Sequence, residues 1–424
     1  MPQEKSRLII KSGNVFDSVK GILKENQTIV IRENKIQWCG EDDAFEKETN
    51  DKIIDVKGKT IIPGMIDCHV HLEYLHEFFS NIERAILRNK EAMFGYYALK
   101  NAQEHLKSGF TTLRDCGSQT LAPASLRKVF DNGLFLGPRL IVAQRGIFQW
   151  GDQEEFGPQD WINYLRKDEV ISGPDGIIHA VRDQKRNGAD FIKTTTTGGV
   201  LHGQDSKVEL SLWNIDELKA MVLEAERLGM HVAAHAHGSL GIHNAVQANI
   251  HTIEHGTLIT EETASIMVKK GLYLVPTQSA MTAEFSSEMK KTFPPEVIEK
   301  GEYLAKEVIE HHKMAFDKGV NIALGTDAPV ASAHGNSAQE LILMVKNMRM
   351  TIAEALQAAT INAARAIRME DKIGSIEEGK FADLVVVNGN PLEDLTLLQK
   401  SNNLHHIIKD GRIVAEQGKI TYFN

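Results

Sequence analysis

Hydrophobic residues follow two different patterns along the chain. The first sixty and the last fifty residues contain short apolar, alternating or β-branched runs, separated by turns such as Gly13-Asn14 and Asp410-Gly411. In residues 61–374, short apolar runs that end in polar residues are each followed by a segment with helical periodicity. We therefore predict a small β-sandwich domain built from residues 1–60 and 375–424, and a larger middle domain.

The middle domain repeats one strand–helix unit eight times. Its apolar runs are Thr60–Asp67, Phe110–Asp115, Arg139–Arg145, Ala189–Lys193, Met230–His235, Thr252–His255, Leu272–Pro276 and Val320–Asp327. Asp216–Leu228 is an example of the amphipathic segments between them, with Asn214 or Asp216 as its N-cap. Eight such units over roughly 300 residues predict an α/β fold of the (β/α)8, or TIM, barrel type. An open doubly wound sheet is the alternative, but no Gly-rich phosphate-binding motif follows the early strands.

Two connections, residues 146–176 and 277–295, are longer than the usual loops of a barrel, and both contain aromatic residues and methionines or other apolar side chains. Long loops above a barrel are natural lids or pocket walls. Packing against a neighbouring subunit is the alternative interpretation. We expect the protein to be a homo-oligomer.

Charge and cysteine content limit the classes of partner. The chain has 48 Lys and Arg against 57 Asp and Glu, a net charge of −9, and no Lys/Arg-rich block, which disfavours binding to nucleic acid or to an anionic membrane. Cys39, Cys68 and Cys116 form no CxxC pair, which indicates a reducing compartment and argues against a thiolate zinc site. The N-terminal residues lack a signal-peptide core, and no apolar run is long enough to span a bilayer. We expect a cytoplasmic protein with a small-molecule substrate.

Polar residues suited to metal binding stand at the ends of the predicted strands. His69 and His71 close the first run, and residues two apart in a strand point to the same face. Two neutral imidazoles at this spacing suit a divalent transition metal. The residues that end the fourth, fifth, sixth and eighth runs are Lys193, His235, His255 and Asp327. Because the carboxyl ends of barrel strands converge, these side chains predict one metal site.

Several segments resemble the amidohydrolase superfamily. Ile62 to His71 reads Ile-Pro-Gly-Met-Ile-Asp-Cys-His-Val-His and is similar to the opening motif of that superfamily. The segments 109–117, 235–256, 324–329 and 374–384 add to the resemblance, which covers nearly the whole chain. Within the superfamily, the chain resembles the group that contains imidazolonepropionases and prolidase-like enzymes, namely Xaa-Pro dipeptidases and zinc carboxypeptidases.

The resemblance implies a binuclear metal site whose two divalent ions are expected to be Zn²⁺. The implied ligands are His69, His71 and Asp327 for one ion, and His235 and His255 for the other. Lys193 would be carboxylated by CO2 and would bridge both ions. This agrees with the residues themselves, since a lysine buried among metal ions cannot remain a cation. A neutral or ion-paired Lys193 in a one-metal enzyme is the alternative.

The implied reaction is hydrolysis of an amide bond by a metal-bridging hydroxide, with Asp327 as the catalytic acid and base. We expect the substrate to be a dipeptide or an N-acyl amino acid. A cyclic amide or lactone, as in imidazolonepropionases, is the alternative. A catalytically inactive scaffold is disfavoured, because all six ligand positions are filled.

Three further residues are candidates for substrate binding. His237 lies two residues beyond His235 and points the same way, His202 follows Gly198-Gly199, and Tyr74 lies just past the first motif. After the third strand, prolidase-like enzymes often have a Gly-Gly-His element, whereas this chain has Gly-Ile-Phe-Gln-Trp-Gly-Asp in residues 146–152. This difference affects the predicted substrate specificity and leaves the predicted metal site unchanged.

Overall fold

The computed structural model of the chain describes residues 6–80, 82–150, 170–200, 206–285, 287 and 289–421. The strands are β1 (Leu8–Asp17), β2 (Ile22–Arg32), β3 (Lys35–Glu41), β4 (Lys52–Asp55), β5 (Lys59–Pro63), β6 (Met65–Val70), β7 (Phe110–Asp115), β8 (Arg139–Val142), β9 (Phe148–Gln149), β10 (Val170–Ile171), β11 (Ile192–Thr195), β12 (Val232–Ala236), β13 (Thr252–His255), β14 (Tyr273–Val275), β15 (Asn321–Ile322), β16 (Leu384–Asn388), β17 (Leu404–Lys409), β18 (Arg412–Glu416) and β19 (Lys419–Ile420). The α-helices are Ile82–Arg88, Glu91–Lys107, Ala122–Asp131, Gly173–Arg186, Ile215–Arg227, Ser239–Gln247, Glu261–Lys270, Gln278–Met281, Met289–Thr292, Pro295–Asp317, Ala338–Met348, Ile352–Ala358 and Ile361–Ala366. Short 3-10 helices occupy Asp42–Ala44, His76–Ser80, Leu395–Gln399 and Ser401–Asn403.

Eight parallel strands of the middle of the chain close into a barrel. β6, β7 and β8 form one sheet, and β11 to β15 form a second sheet in sequence order. Backbone hydrogen bonds join the two sheets at both edges, from Ile147 N to the Lys193 carbonyl (2.8 Å) and from Cys68 N to the Leu324 carbonyl (2.9 Å). The predicted (β/α)8 architecture is therefore confirmed.

The first barrel strand is shorter than the predicted run Thr60–Asp67. The chain passes from β5, in the terminal sheet, to β6, in the barrel, at Gly64. A Cβ at this glycine would collide with the side chain of Thr111, so the crossing requires glycine. β5 thus crosses the predicted boundary at residue 60, and we propose that this part of the small domain ends at Pro63.

Strands from both termini form the second unit. They make one nine-stranded sheet in the order β19-β18-β17-β16-β5-β1-β2-β3, with β4 paired to β1. The sheet curls, because two backbone hydrogen bonds join the beginning of β3 to the segment before β16. Ile36 N donates to the Lys380 carbonyl and Ala382 N to the Asn34 carbonyl, both at 2.9 Å. Branched apolar side chains fill the space inside the curl: Ile10, Val15, Ile29, Ile31, Ile36, Val56, Ile61, Leu384, Val386 and Ile408. The small β-domain assembled from both ends of the chain is confirmed in this form.

Helices surround the barrel and bury one apolar stripe each. Asn214 caps Ile215–Arg227 in a capping box, since its side chain accepts from Glu217 N (3.0 Å) and Glu217 Oε2 accepts from Asn214 N (3.1 Å). On the longest helix, Pro295–Asp317, the buried positions recur every three or four residues. No helix among the described residues combines the length and apolar character that crossing a membrane requires.

Candidate metal centre

The carboxyl ends of the barrel strands surround a cavity of about 270 Å³. Its wall includes all of the predicted metal ligands: His69, His71, Lys193, His235, His255 and Asp327. These residues lie on five different strands or strand ends, so only closure of the barrel brings them together.

Asp327 faces both histidines of the first strand. Its Oδ1 lies 3.3 Å from His69 Nε2 and 3.1 Å from His71 Nε2. Asp327 has a left-handed backbone (φ 58°), an unusual conformation that is held by hydrogen bonding of Asp327 N to the His69 carbonyl (2.8 Å). The pair of histidines and this carboxylate thus form one group of converging donor atoms.

A second group of donors lies beside the first. His235, His237 and His255 have ring centroids 4.4–4.8 Å apart, and each offers a donor atom within 4.8 Å of the others. His69, His255 and Asp327 form another such group, so His255 belongs to both. The two groups are therefore candidate metal-binding sites that lie side by side and have His255 in common.

The orientation of the imidazole rings suits metal binding through Nε2. The Nδ1 contacts are His71 to the Gly117 carbonyl (2.9 Å), His237 to Thr257 Oγ1 (2.7 Å) and His255 to Thr277 Oγ1 (2.8 Å). A metal-binding histidine characteristically uses its second nitrogen in this way, because the contact fixes the ring and its tautomer. These three rings therefore point Nε2 into the cavity.

Glu254 orients the fourth ring and was not identified from the sequence. Its Oε2 accepts from His69 Nδ1 (2.8 Å), and its Oε1 accepts from Arg114 Nη2 (2.6 Å). Glu254 and Arg114 are both 0% exposed. Burial alone would raise the pKa of Glu254, but the charge of Arg114 and the hydrogen bond from His69 lower it to about 2. Arg114 therefore helps to hold the carboxylate that orients the His69 ring.

The protonation states of most of the donors favour a bound cation, whereas at His71 burial is outweighed by the hydrogen bond and the charge of Asp327, which raise the pKa. Burial and the charge of Lys193 lower the pKa of His69 to about 4, and burial lowers that of His255 well below its ordinary value. For Asp327, burial acts in the raising direction, but His69 and His71 outweigh it and lower the pKa. Neutral imidazoles beside an ionised carboxylate are the ligand forms that a divalent metal requires.

Lys193 lies in the wall of the same cavity, and its residue is 7% exposed. On β11 it is in register with Ala233 of β12, while Thr195 is in register with His235. Lys193 therefore lies deeper in the barrel than His235, by two residues along the strand, at a position that points to the same face. The predicted bridging residue and the predicted ligands thus surround one space.

Two of the three residues predicted to bind substrate lie in the wall of the cavity. His237 and Tyr74 both line the cavity, and the Tyr74 ring lies 6.0 Å from that of His71. The Tyr74 hydroxyl accepts a hydrogen bond from Gln119 Nε2 (2.6 Å). His202 lies outside the described residues.

Asp67, which the sequence marks only as part of the first motif, joins the two sides of the site. Its Oδ2 accepts from the hydroxyls of Thr326 and Ser337, both at 2.7 Å, and its Oδ1 accepts from His69 N (3.1 Å). Despite these bonds, burial raises the pKa of Asp67 to about 6. The Asp67 carboxyl therefore links the backbone of His69 to Thr326, the residue that precedes Asp327.

Comparison with known proteins gives matches over nearly the whole chain. The model of the "Amidohydrolase family" matches residues 60–414. The ochratoxinase of Aspergillus niger is 28% identical over 410 residues, covering 93% of this chain and 84% of that protein. The imidazolonepropionase of Treponema denticola is 28% identical over 413 residues, covering 93% and 94%. A crystal structure of a Xaa-Pro dipeptidase with bound methionine in the active site superposes with a TM-score of 0.87 at 35% identity, covering 97% of this chain and 100% of that one.

Proposed function

Because the chain belongs to the amidohydrolase family and is a hydrolase of amide bonds, we propose that it cleaves a dipeptide or an N-acyl amino acid at a binuclear metal centre. The observation that supports two ions is the pair of overlapping donor groups that share His255. The similarity to a Xaa-Pro dipeptidase supports a substrate of the dipeptidase or carboxypeptidase kind.

In this proposal, the six predicted ligands hold two Zn²⁺ ions. The ligand set is His69, His71 and Asp327 for one ion, His235 and His255 for the other, and Lys193 carboxylated by CO2 for both. Histidine nitrogens and carboxylate oxygens in the absence of a CxxC pair suit zinc. Carboxylation would convert the Lys193 ammonium into an anionic oxygen ligand, which removes its repulsion of the ions.

The bound ions would supply an activated water and polarise the scissile carbonyl. Asp327 would then accept the proton of that water through its carboxylate and donate it to the leaving nitrogen. The lowered pKa of Asp327 keeps its carboxylate ionised at neutral pH, which is the form that the first half of this role requires. His237 and Tyr74 line the same cavity and would bind the substrate, and we retain His202 as a candidate for this role.

A second candidate function is hydrolysis of a cyclic amide or lactone. The imidazolonepropionase relative, similar over 93% of this chain, favours it. In either case, a cavity of about 270 Å³ fits a small-molecule substrate. The homo-oligomeric state stays a prediction.

The test combines metal analysis with a substrate screen. The purified protein, before and after treatment with a chelator, is assayed against dipeptides, N-acyl amino acids and cyclic amides, and its metal content is measured. We expect about two metal equivalents, and amino acid release that disappears with the metal and returns with Zn²⁺. His255→Ala should lose metal and activity, whereas His179→Ala, an exposed histidine on Gly173–Arg186, should lose neither. Turnover of cyclic amides alone would favour the second candidate, and activity without metal would contradict both.

A further inference from the structure

The cavity has an apolar portion in addition to the metal centre. Seven large apolar side chains of the described residues contribute to its wall: Phe79, Ile86, Phe148, Val200, Met281, Phe285 and Val330. All except Met281 are only partly buried. Apolar side chains that face an open cavity gain contact when an apolar group enters it, so this portion suits an apolar part of a ligand.

The Phe285 ring rests on a glycine inside the longest helix. Gly301 is buried on the same face of Pro295–Asp317 as Leu304, Val308 and His312. A Cβ at Gly301 would lie 2.5 Å from the Phe285 ring and 3.3 Å from Val200 Cγ1. Glycine is unfavourable inside a helix relative to alanine, so its use here is explained by the space that the ring occupies.

The same helix is fixed to the metal centre. His312 is fully buried, and its Nε2 lies 2.6 Å from the backbone carbonyl of His255. The position of Gly301, and of the Phe285 ring against it, is therefore defined relative to a predicted metal ligand.

The Phe148 ring has an equivalent support. It lies against Gly146, where a Cβ would collide with the ring. The residue between them, Ile147, donates its N–H to the Lys193 carbonyl (2.8 Å) and accepts from the Thr194 hydroxyl (2.7 Å). These bonds fix Phe148 relative to the strand of Lys193.

We infer that Phe148 and Phe285, the aromatic pair, select substrates with a large apolar side chain on one of the two residues that the scissile amide joins. The inference rests on the proposed function and names the substrate class of the same site. The pair comes from the two long connections, and each ring is supported by a glycine and tied to a different strand of the metal centre. Among the described residues of the wall, the charged groups outside the metal centre are confined to Glu284, so these residues offer little to an acidic side chain.

The first part of the test is a comparison of side chains. kcat/KM is measured for two series of dipeptides, Ala-X and X-Ala, and for acetyl-X, with X as Gly, Ala, Leu, Phe, Asp or Lys. We expect Leu and Phe to exceed Gly, Asp and Lys by tenfold or more in at least one series, as for a pocket that buries several additional methylene groups. Hydrolysis of all side chains within about threefold would overturn the inference while leaving the proposed function intact.

Variants locate the preference. Phe148→Ala and Phe285→Ala should each lower kcat/KM for the Leu and Phe substrates by ten- to a hundredfold, with at most a threefold change for Gly and Ala substrates and unchanged metal content. Tyr303→Ala, which removes a 56% exposed ring from the helix of Gly301, should leave every ratio unchanged. Equal losses for small and large substrates would show a structural role and would contradict the inference.

A binding measurement separates this inference from the proposed function. Calorimetry with the products L-phenylalanine and glycine requires no turnover. We expect L-phenylalanine to bind the metal-loaded protein at least tenfold more tightly, and Phe285→Ala to remove the difference. Binding with this preference but no hydrolysis would refute the proposed reaction alone, whereas equal affinities would refute the role of the aromatic pair.

Discussion

Glu254→Gln is the substitution that tests the support of the metal centre. It keeps the size of the side chain but removes the charge that faces Arg114 Nη2 at 2.6 Å and His69 Nδ1 at 2.8 Å. Both members of the ion pair are fully buried, so solvent cannot replace the lost partner. The variant therefore leaves a buried guanidinium without its counter-ion.

The expected loss follows from the pKa of Glu254. Its pKa falls from 4.5 to about 2, which corresponds to about 3 kcal/mol of stability at neutral pH. Breaking one partner of a buried pair typically costs about 3–5 kcal/mol, in agreement with that value. Because the pKa is lowered in the folded state, the contribution is complete above about pH 4.5 and is lost as the pH falls towards 2. The difference between the wild type and the variant should therefore shrink in acid.

The assay is urea unfolding of both proteins with a chelator present, followed by metal competition without it. We expect the variant to lose about 3 kcal/mol at pH 7 and to bind Zn²⁺ about 10–100-fold more weakly, since the carboxylate no longer fixes the His69 ring. The matched control is Glu226→Gln, which breaks the exposed pair with Arg368 (2.5 Å) and should cost about 0–1 kcal/mol. A free energy of unfolding within about 1 kcal/mol of the wild type, together with unchanged metal affinity, would refute the reasoning.

Three further predictions concern the proposed chemistry. Lys193→Ala should lose at least one metal equivalent and most activity, with partial recovery in acetate or propionate. Lys193→Arg should not recover, because guanidinium stays charged. An unmodified lysine in a fully active two-metal enzyme, detected by mass spectrometry, would contradict the bridging role. Asp327→Asn should reduce kcat by about 10²–10⁴-fold in a fully metallated protein, as for loss of a general base, and near-normal turnover would remove Asp327 from that role. Amidation of the substrate's carboxyl terminus should weaken transition-state binding by about 1–3 kcal/mol, measured from the ratio of the kcat/KM values, if that carboxylate is bound. Equal rates would favour cyclic substrates.

The residues that line the metal centre could be predicted because one rule places them. The polar side chain at the end of a barrel strand faces the mouth, and His69, Lys193 and Asp327 follow that rule. The division of the run Thr60–Asp67 could not be predicted in the same way, because its apolar character is continuous. What separates β5 from β6 is the close approach of Thr111 to Gly64, a contact between residues far apart in sequence.

The role of Glu254 could not be predicted from the sequence either, because it depends on a local change of backbone conformation. In a regular strand, neighbours point to opposite faces, so a metal ligand at His255 places Glu254 on the other side. The backbone of His255 is left-handed (φ 67°), which breaks the alternation and lets both residues face the inside of the barrel. No periodicity in the sequence records such a local change of conformation.

The contacts that orient the ligands have one feature in common: each comes from a different strand or loop than the ligand itself. Glu254 of β13 orients His69 of β6, and Thr277, which follows β14, orients His255. Donor atoms can therefore be identified from sequence one strand at a time, whereas their orientation exists only after neighbouring strands have paired. Metal binding should consequently require the closed barrel. Bound Zn²⁺ should therefore raise the free energy of unfolding, and the increase should grow with the logarithm of the free metal concentration once that concentration exceeds Kd.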